Sequence, residues 1–241
     1  RIGGATVRLD PVGHLLGACA VTLTSPHERL LFSGDLGRSD DLLMPPPAPP
    51  PAPDVVLIES TYGNRIHPPA DVAAQLGALV RDTIGRGGSV LMPSFAVGRA
   101  QALLLAIRRL KEAGQIPRDL PVFLDSPMAI EATALYRKFG SLLRVPAREV
   151  RTLCDGVRMV ATPQQSAQLA RLRYPAIVIS ASGMATGGRV LHHLKATLPN
   201  GNNTVLFVGY QARGTRGARL VAGEKETKIH GEIVPVSARI E

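Results

Sequence analysis

Two polar residues near the start of the sequence have types that suit metal-dependent chemistry. His14 lies in PVGHLLGA, between two segments predicted as strands, and Asp35 lies in SGDLGR, directly after an apolar strand. An imidazole nitrogen and a carboxylate are both zinc ligands. Either residue alone is also typical of an ordinary turn, because glycines lie beside both. Two ligands fall short of a site, since catalytic zinc takes about three protein ligands and structural zinc about four.

Two further carboxylates follow apolar strands directly. Glu59 ends DVVLIES and Asp125 lies in VFLDS. A carboxylate in this position either caps a turn or helix or points into a crevice, and for Glu59 both alternatives stay open. Pro127 suits the first turn of a helix, so we predict that Ser126 or Asp125 caps that helix.

The segment VISASGMATGGRVLHHLK predicts a strand ending at Ser180, a loop of small residues and a helix. Backbone amides of such a loop, together with a helix N-terminus, form a cradle for an anion, with Arg189 in the first helical turn. A tight turn with no ligand is the alternative, and the segment is neither a Walker A loop nor a GxGxxG fingerprint. His192 and His193 lie about 100° apart on the helix, so we predict surface or phosphate-adjacent residues rather than a metal pair.

The elements that must position these residues change type at the proline-rich segment PPPAPPPAP, residues 45–53, which predicts a stiff surface linker between two strands. Before it the pattern predicts only strands, at 5–9, 18–24 and 29–32. After it, apolar strands at 55–58, 90–92, 122–124, 177–179 and 205–208 alternate with helices at 71–85, 97–113, 127–140, 164–172 and 187–197.

This alternation predicts an α/β fold with a largely parallel sheet flanked by helices. Ligands of such sheets bind outside the carboxyl ends of the strands. We therefore expect the polar residues that follow four strands to converge on one crevice, at 59–61, 93–94, 125–126 and 180–182.

Composition bounds the class of protein. The 241 residues include 28 Lys and Arg against 19 Asp and Glu, a net charge of +9, and 45% are hydrophobic, which is typical of a globular chain. No apolar stretch is long enough to span a membrane.

Arg-rich stretches at 137–158 and 213–228 suit phosphate-rich partners or an ordinary solvated surface. Cys19 and Cys154 lack metal-ligand spacing, which favours a reducing, cytoplasmic location. The first residue is Arg1, so we expect a processed or truncated product.

Six motifs in order along the chain resemble those of the metallo-β-lactamase-fold β-CASP family of RNA-processing nucleases. They are GHLLGA, SGDLGR, ESTYGNR, PSFAVGRAQ, LDSPMA and SASGMATGGR. The resemblance implies that residues 1–63 form the C-terminal part of a metallo-β-lactamase αββα sandwich and residues 64–241 a nearly complete inserted β-CASP domain. It also implies an active site in the cleft between the two domains.

The resemblance implies roles for single residues. His14 and Asp35 would bind metal, with Asp35 bridging two zinc ions, and Asp35 and Glu59 would be the catalytic residues, Glu59 by orienting active-site groups. The loop would bind the RNA backbone through Ser182, Gly183, Met184, Thr186, Gly187, Gly188 and Arg189. The implied function is zinc-dependent hydrolysis of phosphodiester bonds in RNA, most readily single-stranded, by a cytoplasmic protein that forms a homodimer.

Parts of the family pattern are missing from the sequence. The HxHxDH motif and two later histidines are absent, and His230 is neither of the two. The resemblance therefore implies a central portion cut at both ends, which we expect to bind little zinc and to hydrolyse no RNA alone. Two alternatives remain open: a non-catalytic RNA-binding or scaffolding member of the same fold, and a DNA-directed nuclease of the superfamily.

Overall fold

The computed structural model of the chain describes residues 4–66 and 71–241. The chain divides into two compact units, one of Arg1–Ala70 with Lys138–Val150 and one of Asp71–Arg137 with Arg151–Glu241. The segment 138–150 thus groups with the N-terminal unit, although it lies within the predicted second domain. The assignment of 1–63 and 64–241 to two named domains stays a prediction.

The first unit contains a four-stranded sheet in the order β1-β2-β3-β4. Its strands are β1 (Thr6–Pro11), β2 (Cys19–Thr24), β3 (Arg29–Phe32) and β4 (Val55–Leu57). The first three pair antiparallel, and β4 pairs parallel to β3. A parallel neighbour needs a long connection, and the proline-rich segment is part of it, as predicted. A small apolar core of Val12, Ala20 and Leu31 packs beside this sheet.

The second unit contains a parallel sheet of six strands, β5 (Val90–Pro93), β6 (Val122–Asp125), β7 (Val157–Met159), β8 (Ile177–Ser180), β9 (Thr204–Val205) and β12 (Arg239–Ile240). Their order is β12-β9-β5-β8-β6-β7, and every pair is parallel. A separate antiparallel hairpin is formed by β10 (Glu226–Ile229) and β11 (Glu232–Pro235). The predicted α/β class with a mainly parallel sheet is confirmed.

Helices connect the strands of the parallel sheet. Their bounds are α1 (Val72–Gly85), α2 (Arg99–Glu112), α3 (Pro127–Lys138), α4 (Ala147–Arg151), α5 (Pro163–Leu169), α6 (Val190–Thr197) and α7 (Arg216–Val221). All four residues of β5, β6 and β8 are buried, because helices cover parallel strands on their faces. In the described part of the chain, no helix is long and apolar enough to cross a bilayer.

Three of the four predicted strand ends meet at one edge of the parallel sheet. β5, β8 and β6 are neighbours, so Ser94, Ser180 and Asp125 lie together at their carboxyl ends. The amide of Ser94 donates to the Ser180 carbonyl at 2.9 Å, and the Ser180 hydroxyl donates to the Asp125 carbonyl at 3.1 Å. Glu59 follows β4 and belongs to the other sheet, so strand pairing does not place it with these three.

Candidate functional site

His14 and Asp35 are brought together by two turns of the first unit that pack backbone against backbone. A Cβ atom on Gly37 would overlap the carbonyl group of Gly13, and the Gly37 amide donates to the Val12 carbonyl at 2.8 Å. This close approach places Nε2 of His14 3.9 Å from Oδ2 of Asp35. Both side chains are exposed. The structure therefore pairs the two residues predicted as metal ligands.

Glu59 holds the Asp35 turn in place. One carboxylate oxygen accepts from the Thr61 amide at 2.9 Å, and the other accepts from the Leu36 amide at 3.4 Å. The amide and hydroxyl of Thr61 stabilise the charged form, as does the Leu36 amide, so the pKa of Glu59 lies below its usual value. Glu59 thus both caps its own turn and fixes the residue after Asp35. Its implied catalytic role stays a prediction.

The donor set of His14 and Asp35 fits zinc chemically but is incomplete. An imidazole nitrogen and a carboxylate oxygen are both zinc ligands, and these two atoms lie 3.9 Å apart. Among residues 4–66 and 71–241, no group of three or more His, Cys, Asp or Glu side chains could hold a metal ion. The zinc cofactor therefore stays a prediction that needs further ligands.

In the second unit, Asp125 is the centre of a buried polar cluster. Its Oδ1 accepts from Nη1 of Arg189 at 2.8 Å, and its Oδ2 accepts from Nε2 of His193 at 2.5 Å and from the Ser166 hydroxyl. Burial alone would raise the pKa of Asp125. The hydrogen bonds from His193, Ser166 and Arg189 outweigh that effect and hold the pKa below its usual value. Asp125 is therefore a buried, ionised carboxylate with compensating donors.

Of two predictions about this cluster, the helix cap is confirmed and the surface position of His193 is wrong. Ser126 caps α3 as predicted, since its Oγ accepts from the Ala129 amide at 3.2 Å, but Asp125 does not, because its carboxylate is bonded to α5 and α6. His193 is only 3% exposed rather than at the surface. His192, one position earlier, is exposed and packs its ring 4.7 Å from that of His230. The adjacent histidines point apart, as the helical geometry requires.

The free hydrogen-bond donors of the predicted anion cradle lie in the loop rather than in the helix. The amides of Val190, Leu191 and His192 donate to the carbonyls of Ala181, Gly188 and Arg189. Among the described residues, the amides of Gly187, Gly188 and Arg189 have no acceptor. Arg189 is the N-cap residue of α6, one position before the predicted first turn. Three consecutive amides are therefore left as donors that the oxygens of an anion such as phosphate could accept from.

The preceding part of the loop is fixed by residues 209–217. The carbonyls of Gly183, Met184 and Ala185 accept from the Gln211 side chain, the Gly217 amide and Nη1 of Arg216, at 3.0, 3.0 and 2.5 Å. Gly183 also packs under Phe95, whose ring would lie 2.9 Å from a Cβ at that position. Because three successive carbonyls are bonded, residues 183–185 are held in place, directly before the part of the loop that contains the free amides.

Among the arginines at 213–219, one has a side chain available to a partner. Arg216 and Arg219 are bonded within the unit, to carbonyls and to Glu224. In contrast, the exposed side chain of Arg213 makes no hydrogen bond or ion pair with any residue that the structure describes. Arg213 lies in the turn closed by the Thr215 amide and the Ala212 carbonyl. It is a free cation between two residues, Gln211 and Gly217, that contact the loop.

Comparison with known proteins identifies the family. The model of the Beta-Casp domain matches residues 100–220. The chain belongs to the β-CASP family. Ribonuclease TTHA0252 of Thermus thermophilus is 36% identical over 100% of this chain and 57% of its own length. An RNase J-like protein of Methanocaldococcus jannaschii is 33% identical, over 95% of this chain and 54% of its own length. The transcription termination factor FttA of Pyrococcus horikoshii is 33% identical, over 93% of this chain and 36% of its own length.

The β-CASP match covers only part of the site residues. It contains the Asp125 cluster, the loop at 182–189 and Arg213, whereas His14, Asp35, Glu59 and Phe95 precede it. The chain spans about half the length of the first two curated relatives and about a third of the third. The predicted family is thus confirmed, and the activity of the whole protein belongs to the proposal below.

Proposed function

We propose that this β-CASP chain contains the RNA-binding loop and two metal ligands of a zinc-dependent ribonuclease that hydrolyses RNA phosphodiester bonds. The observation that carries the proposal is the row of three unpaired amides at Gly187, Gly188 and Arg189. Family membership and the names of the relatives, two of which are ribonucleases or RNase-like, support the RNA substrate.

The residues of the second unit would bind the RNA backbone. The three amides donate to oxygens of one phosphate, and Arg213 neutralises a phosphate with its guanidinium group. Single-stranded RNA is the expected form, because a flexible strand can adapt the positions of its phosphates to the loop. The predicted homodimer and cytoplasmic location stay predictions.

The residues of the first unit would hold the metal. His14 and Asp35 would bind zinc through an imidazole nitrogen and a carboxylate, and Glu59 keeps the Asp35 turn fixed through the Leu36 amide. When bound, zinc would supply a Lewis acid and a water of lowered pKa for attack on the phosphorus. The retained His14–Asp35 pair favours a hydrolase over a non-catalytic RNA-binding member of the fold.

RNA binding is tested on the chain itself with a fluorescent single-stranded RNA and a DNA of the same sequence. We expect the affinity for RNA to fall steeply between about 50 and 200 mM salt, because phosphate contacts release counterions. Arg213→Gln should reduce the salt slope by about 0.7, and Arg118→Gln is the matched control, an exposed arginine that precedes the amino end of β6. Undetectable RNA binding by the chain would refute the proposed function, and tighter binding to DNA would favour the DNA-directed alternative.

Cleavage is tested on the full-length gene product, with zinc present. His14→Ala should abolish hydrolysis and leave RNA affinity within a factor of about two. His27→Ala is the control, since His27 is exposed in the same unit and lies in the turn between β2 and β3. Undiminished hydrolysis by His14→Ala would show that His14 is not a metal ligand.

A further inference from the structure

We propose that Asp125 is a positioning residue for the RNA-binding loop, that it acts through Arg189 and His193, and that Arg189 does not itself bind phosphate. This inference rests on the proposed function of the loop. It reassigns Arg189, which the sequence placed among the RNA-binding residues.

Three hydrogen bonds of the Arg189 guanidinium group go to acceptors inside the second unit. Nη1 donates to Oδ1 of Asp125 at 2.8 Å and to the Val160 carbonyl at 2.9 Å, and Nη2 donates to the Ala161 carbonyl at 2.7 Å. The side chain is only 20% exposed. Its three acceptors lie at the ends of β6 and β7, so the guanidinium is directed into the unit and not towards a ligand on the loop.

One carboxylate holds helix α6 at two points. Arg189 and His193 are four residues apart, so they lie on the same face of the helix, and both donate to Asp125. Ser166 ties α5 to the same carboxylate. A shift or rotation of α6 relative to β6 would break the bonds at both Arg189 and His193. The free amides of Gly187, Gly188 and Arg189 come directly before α6, so their position depends on this attachment.

The two possible roles of Arg189 predict opposite changes in RNA affinity when the charge of Asp125 is removed. Asp125 largely neutralises Arg189, because the carboxylate is fully buried beside the guanidinium. If Arg189 bound phosphate, removing the Asp125 charge would free the guanidinium and strengthen RNA binding. If Asp125 positions the loop, removing the charge loosens α6 and weakens RNA binding. The sign of the effect therefore separates the two roles.

The experiment measures single-stranded RNA affinity and its salt slope for Asp125→Asn and Arg189→Gln, on samples shown to be folded by circular dichroism. We expect about tenfold weaker binding for both variants, with the wild-type slope retained, because no phosphate contact is lost. Arg213→Gln should instead lower the slope by about 0.7, and Arg118→Gln should change neither quantity.

Three results would overturn the inference. Tighter binding by Asp125→Asn, or a slope reduced by about 0.7 in Arg189→Gln, would identify Arg189 as a phosphate ligand. Wild-type affinity in both folded variants would make the cluster purely structural. If Asp125→Asn does not fold, Arg189→Gln decides alone, since it leaves Asp125 bonded to His193 and Ser166. If the wild-type chain binds no RNA, the proposed function fails first, and the two failures are thereby distinguished.

Discussion

Asp125 has no exposed surface, so its charge is stable only because Arg189, His193 and Ser166 donate to it. Asp125→Asn leaves the partly buried guanidinium of Arg189 without its counter-charge, and we expect a loss of about 3 kcal/mol in the free energy of unfolding at pH 7. Urea unfolding of both proteins measures this loss. Asp119→Asn is the control, because Asp119 is exposed just before the same strand.

The stability that the charge of Asp125 contributes should also depend on pH. The pKa of Asp125 in the folded chain is below the ordinary value of 3.8, so the unfolded chain binds its proton first as the pH falls. The stability that the charge contributes is therefore constant above about pH 5 and is lost as the pH falls through the folded pKa. The difference in the free energy of unfolding between wild type and Asp125→Asn should therefore narrow below about pH 3.8, the ordinary pKa of an aspartate. A gap that stays constant down to pH 3 would contradict an ionised, compensated Asp125.

Phe95 is a second residue whose position predicts an effect on RNA binding. Phe95 is 44% exposed just after the carboxyl end of β5, and its ring packs on Gly183 of the loop. Stacking of a base on an aromatic ring contributes about 1–3 kcal/mol. Phe95→Ala should weaken single-stranded RNA binding about tenfold without a change in salt slope, and Phe95→Tyr should retain it. Phe139→Ala, at 43% exposure in the other unit, is the matched control. Equal losses in both alanine variants would exclude a specific stacking role.

At the scale of elements, the turn from β8 into α6 depends on Gly188. Its φ of +78° is one that other residues rarely adopt, and a Cβ would lie 3.0 Å from the Ala181 carbonyl oxygen. Gly188→Ala should therefore cost at least about 1 kcal/mol of stability. The adjacent Gly187 has open space around its Cα, so Gly187→Ala should cost less. Thermal unfolding of the two variants compares these costs, and equal transition temperatures would show that the turn tolerates a side chain at Gly188.

The elements were predictable where a periodic apolar pattern was long enough. Predicted helices at 71–85 and 97–113 correspond to α1 and α2, whose buried residues follow the helical period. The hairpin of β10 and β11 was missed, because its short strands alternate Thr227 and Ile229 with charged residues and bury only one face. The partners of Asp125 were also missed, since Ser166, Arg189 and His193 are 41, 64 and 68 residues away along the chain. Only tertiary packing determines which polar side chain meets such a carboxylate.

At the scale of the whole molecule, the net charge is +9, but only some of the basic side chains are free to contact a partner. Arg189 and Arg216 donate to groups inside the second unit, so they contribute little to a phosphate-binding surface. Arg213 is exposed and has no partner among the described residues. Net charge from the sequence alone predicts a polyanion partner but overstates the number of cations that can reach it. The salt slope of RNA binding counts those cations directly.

Metal binding is also a property of the whole chain, because ligands must come from several segments. The described residues offer His14 and Asp35 and no cluster of three ligands, so we expect substoichiometric zinc after dialysis and no hydrolysis of RNA by this chain alone. His14→Ala should remove the zinc that remains, whereas His27→Ala should not. Metal analysis of the dialysed proteins measures this. Stoichiometric zinc that survives dialysis would show that the chain supplies further ligands, and the pairing of His14 with Asp35 would then describe only part of its metal site.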